Sequence, residues 1–279
     1  MYENYDSDMM SQAGGFKTDD NLGMDGVQKK LMPLFLVVDT SGSMSGAKIE
    51  QVKTAVEEIK LQLGMLNTEN DDADIKLSVL CFDDSPRWEA KAEDPALVTP
   101  EFRLGTMTNM GAAFIELNEM LSRSKLIQKG KCAGFKRAVM ILLTDGFPSD
   151  DVDRGIRTLK TNNWFVKGNR IAFAIGSDAD TGCLQKFTGH PETVLQVNNM
   201  NVLSNLLANV AIVASTTATH AAGAGSDEAT TQAQMDEAFR KSAEETADYV
   251  SNAIEQQVVK GELDEEDIES IFGVYANKN

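Results

Sequence analysis

At 279 residues and 42% hydrophobic, the chain can bury a full core, either as one large domain or as one domain with extensions. Its 43 acidic residues against 26 basic ones leave a formal net charge of −17, which argues against a sequence-independent grip on nucleic-acid phosphates and favours basic partners.

Residues 1–30 mix Asp, Asn, Gly, Ser and Met without periodicity and read as a flexible extension. They lack the basic start and apolar run of a secretory signal. No stretch of the chain approaches the ~20 apolar residues of a membrane span, so a cytoplasmic protein with no membrane partner is expected. The ordered domain is expected over residues 31–215. Leu34-Phe35-Leu36-Val37-Val38 is a continuous apolar run, the pattern of a strand buried on both faces, and it runs straight into Asp39-Thr40-Ser41-Gly42-Ser43. Ile49, Val52, Val56, Ile59 and Leu63 then repeat at helical spacing over 47–64. Asp39, Ser41 and Ser43 thus lie on the turn leaving the carboxyl end of a buried strand, where open α/β sheets bind ligands. One carboxylate and two hydroxyls at alternate positions are hard oxygen donors, suited to Mg²⁺ or Mn²⁺. Taken alone, the same residues are also ordinary helix caps and turn formers.

Ile75 to Phe82 predicts a central strand, Asp83-Asp84-Ser85-Pro86 a turn and Arg87-Trp88-Glu89 a short edge strand. Asp83 and Asp84, adjacent acids in a Pro-containing turn, are expected to be solvated. Gly105-Thr106-Met107-Thr108-Asn109 precedes a helix expected over 109–126, with Phe114, Leu117, Met120 and Leu121 inward. A second buried strand, Ala138 to Leu143, ends in Thr144-Asp145-Gly146, and Asp150-Asp151-Val152-Asp153 opens a helix running through Leu159. Strands at 170–176 and 194–197, a helix holding Leu184 and Phe187, and an amphipathic helix over 199–214 complete an alternating pattern. That pattern predicts an α/β fold: a doubly wound, mainly parallel sheet flanked by helices, with one antiparallel edge.

Three separated segments therefore each carry an oxygen-bearing residue to a point where a strand or loop hands over to a helix. Here the sequence resembles the von Willebrand factor A domain, a Rossmann-like fold whose metal-ion-dependent adhesion site is built from Asp-x-Ser-x-Ser, a Thr on a second loop and an Asp on a third. Matched residue by residue, the resemblance implies metal ligands at Asp39, Ser41, Ser43, Thr108 and Asp145. Thr108 is matched because Asn109-Met110-Gly111-Ala112-Ala113 continues as the family pattern does; Thr106 is the other choice. The strand-loop segments 36–46, 142–150 and 174–180 further resemble bacterial TerY-type proteins of tellurite-resistance and stress-response clusters, which implies a Ser/Thr kinase and a PP2C-type phosphatase as partners.

Beyond the domain, residues 216–231 are rich in Ala, Gly, Ser and Thr, as a linker would be. Residues 232–279 read as an acidic helical tail, with Met235, Phe239, Val250, Ile254 and Val258 on one face; from 217 onward there are 14 acidic against 4 basic residues. Cys81, Cys132 and Cys183 are widely spaced and read as reduced, partly buried thiols rather than a disulfide set. The function expected is a metal-dependent protein-interaction module, not an enzyme, in which a partner's Glu or Asp carboxylate completes the shell of a bound Mg²⁺ or Mn²⁺. Met44, Met107, Met110 and Phe147 flank the metal positions and are candidates for an apolar rim. Two other readings stand beside it: a scaffold with a vestigial metal site that acts through the acidic tail, and a metal-dependent phosphohydrolase. The second lacks an acid/base, since the position two residues after Asp39 is Ser41.

Overall fold

The computed structural model describes residues 29–126, 133–198 and 200–220. The expected N-terminal extension as far as 28, Cys132, and the linker and tail from 221 onward lie outside the described residues.

The Leu34–Val38 run forms the middle of β1 (Lys30–Asp39), which is buried along nearly its whole length. It is followed by α1 (Ala47–Glu69), β2 (Ala73–Phe82), β3 (Pro86–Glu93), α2 (Met110–Met120), α3 (Arg123–Leu126), β4 (Val139–Thr144), α4 (Val152–Lys160), α5 (Asn163–Val166), β5 (Asn169–Ile175), α6 (Thr181–Thr188), β6 (Val194–Val197) and α7 (Met200–His220). The six strands form one sheet in the order β3-β2-β1-β4-β5-β6. Every neighbouring pair is parallel except β2–β3, so the expected antiparallel edge is present. This is the doubly wound α/β architecture predicted from the alternation of apolar runs and helical periods.

Each face of the sheet has its own core, and the two-residue period of the strands sorts side chains between them. Along β1, Met32, Leu34, Leu36 and Val38 join α1 and α7 on one side. Leu31, Phe35 and Val37 join α2, α4 and α6 on the other. There Phe187 stacks on Phe114 at 5.2 Å and meets Phe165 edge-on at 5.5 Å, so α6 is locked to α2 and α5 through aromatic contacts. Both described cysteines are free and buried, and burial pushes the Cys81 and Cys183 thiols up to about 12. No described helix is long and apolar enough to cross a membrane.

The order of the strands places the site. From β1 the chain moves outward to β2 and β3, then crosses back to β4 on the opposite side of β1. The carboxyl ends of β1 and β4 therefore flank the topological switch point, where the loops diverge and leave a crevice. Asp39 ends β1, and Asp145 immediately follows β4.

Three expectations about elements need correction. The helix expected over 109–126 is two pieces, because the side-chain amide of Asn162 donates to Leu121 O at 3.0 Å and to Asn118 Oδ1 at 3.0 Å, capping α2 at its last turn. The edge strand is longer than Arg87–Glu89, since Pro86 through Glu93 pairs with β2 around a register shift. The last helix continues past Ala214 to His220, into the stretch whose composition suggests a linker.

Candidate functional site

Asp39 is fully buried, and both of its carboxylate oxygens are engaged. Oδ1 accepts the Ser41 amide at 2.8 Å, and Oδ2 accepts the Thr144 hydroxyl at 2.5 Å. Burial raises the Asp39 carboxyl to about 6; the bonds from Thr144 and Ser41 oppose that rise, and the Asp145 charge adds to it. Ser43 Oγ donates to Asp145 Oδ1 at 2.7 Å and lies 3.1 Å from Ser41 Oγ. A hydroxyl has one proton to give, so with the Ser43 proton on Asp145 the Ser41 hydroxyl donates to Ser43. The other oxygen of Asp145, Oδ2, accepts from Lys48 Nζ at 2.5 Å. A single run of hydrogen bonds thus joins the first loop to the third.

The middle loop closes the third side. Thr108 is buried, its amide donates to Ser149 Oγ at 3.1 Å, and its carbonyl accepts the Ser149 amide at 2.9 Å. A side chain placed on Gly146 would reach 3.9 Å from Ser43 Oγ and 4.0 Å from Thr108 Oγ1, so both hydroxyls face the same bare glycine. Thr106 is exposed, and Asp84 holds its amide and that of Met107 from outside the site. The loop lies close against the first one: the Gly105 amide donates to Thr40 O at 2.8 Å, and a Cβ at Gly105 would lie 2.6 Å from that of Asp83. Only glycine fits there.

Asp83 is not the solvated turn residue expected. It is buried, accepts from Thr40 Oγ1 at 3.0 Å, and pairs with Arg87 at 3.1 Å, which neutralises the charge. The acids expected to cap α4 divide their work. Asp151 accepts the Arg154 amide and caps α4, whereas Asp150 turns to α2 and accepts the Gly111 and Ala112 amides at 2.8 Å each. Of the four residues expected at an apolar rim, Met107 and Phe147 are exposed, while Met44 and Met110 are packed in the two cores.

Sequence reasoning missed Thr144, Lys48, Ser149 and Asp150 as parts of the assembly. Thr144 carries a faint signal, a lone hydroxyl ending an apolar strand. Lys48 carries none, because a lysine in the first turn of an amphipathic helix is ordinary.

Two carboxylates and three hydroxyls at one sheet edge make an oxygen-only donor set, which matches the preference of Mg²⁺ or Mn²⁺. Among the described residues no cluster of three or more His, Cys, Asp or Glu stands where it could hold a metal. The two statements agree, because three of the five donors here are hydroxyls. A model of the von Willebrand factor type A domain matches residues 34–209, more than half of the chain and all of the site. The chain belongs to the von Willebrand factor type A domain family. No curated protein is similar enough to match. Among solved structures, proximal thread matrix protein 1 from the mussel byssus is 18% identical, with a TM-score of 0.51, covering 67% of this chain and 48% of its own. A second structure of that protein, with a zinc-occupied MIDAS motif, is 17% identical, with a TM-score of 0.50 and the same coverage. The open form of the pilus adhesin SpaC from Lactobacillus rhamnosus GG is 16% identical, with a TM-score of 0.50, covering 67% of this chain and 31% of the adhesin. The chain thus spans about half the length of the byssus protein, and at these identities the likeness speaks for the type A fold alone.

Proposed function

We propose that this type A domain is a divalent-cation-dependent protein-binding module, and not an enzyme. Asp39, Ser41, Ser43, Thr108 and Asp145 would hold Mg²⁺ or Mn²⁺. The ion supplies an incompletely filled shell into which a partner's Glu or Asp carboxylate enters. The single observation that carries this reading is the 2.7 Å bond from Ser43 to Asp145, which ties residues 102 positions apart into one oxygen cluster at the switch point. Around it, Thr144 and the Ser41 amide hold the Asp39 carboxylate in place, and the Ser149 contacts hold Thr108. Exposed Met107 and Phe147 offer apolar surface beside the cluster, which lowers the local dielectric and strengthens an ionic contact made there. A hydrolytic role is disfavoured because Ser41 stands where a dehalogenase-type phosphatase needs an acid/base, and its amide serves Asp39 instead.

The setting we infer is a cytoplasmic bacterial stress-response or tellurite-resistance system with Ser/Thr kinase and PP2C-type phosphatase partners. It rests on the likeness of segments 36–46, 142–150 and 174–180 to TerY-type proteins. The deciding experiment is co-purification from the native host in Mg²⁺ and in EDTA, for the full chain, Asp39→Ala, and a chain ending at His220, where α7 ends. Partner loss with EDTA and with Asp39→Ala supports the site. Partner loss on truncation alone would assign binding to the acidic tail and overturn the reading.

A further inference from the structure

Lys48 lies one residue inside α1, five residues after Ser43, and belongs to none of the five donor positions. Its ammonium nevertheless reaches into the cluster. Nζ is 2.5 Å from Asp145 Oδ2, and a Cβ built on Gly176, the residue after β5, would lie 4.0 Å from Lys48 Nζ. These two distances place the ammonium over the ends of β4 and β5, beside the crevice rather than out in solvent. The Asp145 side chain is fully buried, while that of Lys48 keeps 30% of its surface exposed.

Asp39 gives its two oxygens to the Ser41 amide and the Thr144 hydroxyl. Asp145 gives one to Ser43 and the other to Lys48. Each of the four oxygens already has a protein donor, and only one of those donors is charged. Two acids in one buried pocket repel, and a buried carboxylate without a counter-charge is costly. Lysine supplies that charge as a compact point on a flexible four-carbon stem, which can withdraw toward solvent.

We propose that Lys48 is a tethered counter-cation that competes with the divalent metal for Asp145 and so sets the metal affinity of the site. The inference rests on the metal-binding reading above. In the metal-free protein, Lys48 keeps the cluster assembled by neutralising Asp145. When a divalent ion enters, the ammonium leaves Oδ2, because a unit positive charge a few ångströms from the ion opposes its binding. Asp39 and the three hydroxyls then meet the ion with Asp145 released to it. The site is therefore tuned to fill only when divalent cation is abundant.

The test is calorimetric titration of the full chain with Mn²⁺, alongside thermal unfolding of the metal-free protein, for wild type, Lys48→Met, Lys48→Gln and Lys48→Arg. Removing the charge, as Met or Gln, is expected to tighten Mn²⁺ binding ~10-fold or more and to lower the metal-free melting temperature. Lys48→Arg, which keeps the charge, is expected to stay near wild type in affinity. A residue that only supports the fold would lower the melting temperature without tightening Mn²⁺, and that result overturns the inference. Unchanged or weaker Mn²⁺ binding in both uncharged variants overturns it as well. Uptake by Lys48→Met alone, with none by wild type, upholds the competition while removing the metal-dependent function. Absence of uptake in every variant removes both.

Discussion

A buried carboxylate is tolerated only when its oxygens are met by donors, and at Asp39 one of those donors is the hydroxyl of Thr144. Thr144→Val keeps the shape of that side chain and removes its O–H. It leaves Oδ2 of a fully buried acid unsatisfied, which costs about 1–3 kcal/mol. Urea denaturation of the metal-free protein is expected to show that loss, and Thr144→Ser, which keeps the donor, to recover most of it. A Thr144→Val protein as stable as wild type would mean that Asp39 gains nothing from the bond. At this scale the five candidate ligands were legible in the sequence because they lie in motifs of fixed spacing. Thr144 and Lys48 were not, because their partners are 105 and 97 residues away and no local pattern marks such a pair. Asp83 was misread because one partner, Thr40, is 43 residues away, and the other, Arg87, though only four residues on, reaches it across a turn that the sequence suggested was solvated.

Among the elements, the pairing of α2 with α4 governs how the middle and third loops approach each other. It depends on two glycines. A Cβ on Gly155 would sit 2.7 Å from Gly111 O and 2.8 Å from Phe114 Cβ, and one on Gly111 would sit 2.4 Å from Asp151 O. These are backbone and stem atoms that cannot swing away, so Gly155→Ala forces the helices apart. Overpacking of this kind costs about 1–3 kcal/mol, which chemical denaturation would register. Because Asp150 ties the third loop to the first turn of α2, the same variant is expected to weaken metal uptake although it touches no ligand. Unchanged stability and uptake would show that α2 and α4 have slack. Strands and long helices were readable from period alone, since burial on one or both faces dictates it. The end of α2 was not, because Leu121 and Leu126, both buried, continue the inward pattern past Met120, where Asn162 takes the Leu121 carbonyl.

For the molecule as a whole, a cation that binds only the folded state adds to its stability by mass action. At a free metal concentration 100 times the dissociation constant, the gain is about 2.7 kcal/mol. Thermal unfolding with and without Mg²⁺ is expected to show a clear upward shift for wild type and none for Asp145→Ala. Equal shifts in both would locate the cation elsewhere. The architecture was legible from the alternation of apolar runs and helical periods. The strand order β3-β2-β1-β4-β5-β6, and with it the position of the switch point, was not, because local pattern does not determine which strands become neighbours.

That strand order also bears on how the chain is made. β1 pairs with β2 at a separation of some forty residues, but its other neighbour, β4, begins at Val139. A growing polypeptide released from the ribosome only as far as β3 carries one flank of buried β1 without a neighbour, a template for wrong pairing during synthesis. Asp39 emerges long before Asp145, so the Ser43–Asp145 bond that joins the two loops forms only after the 102 positions between its partners have been made.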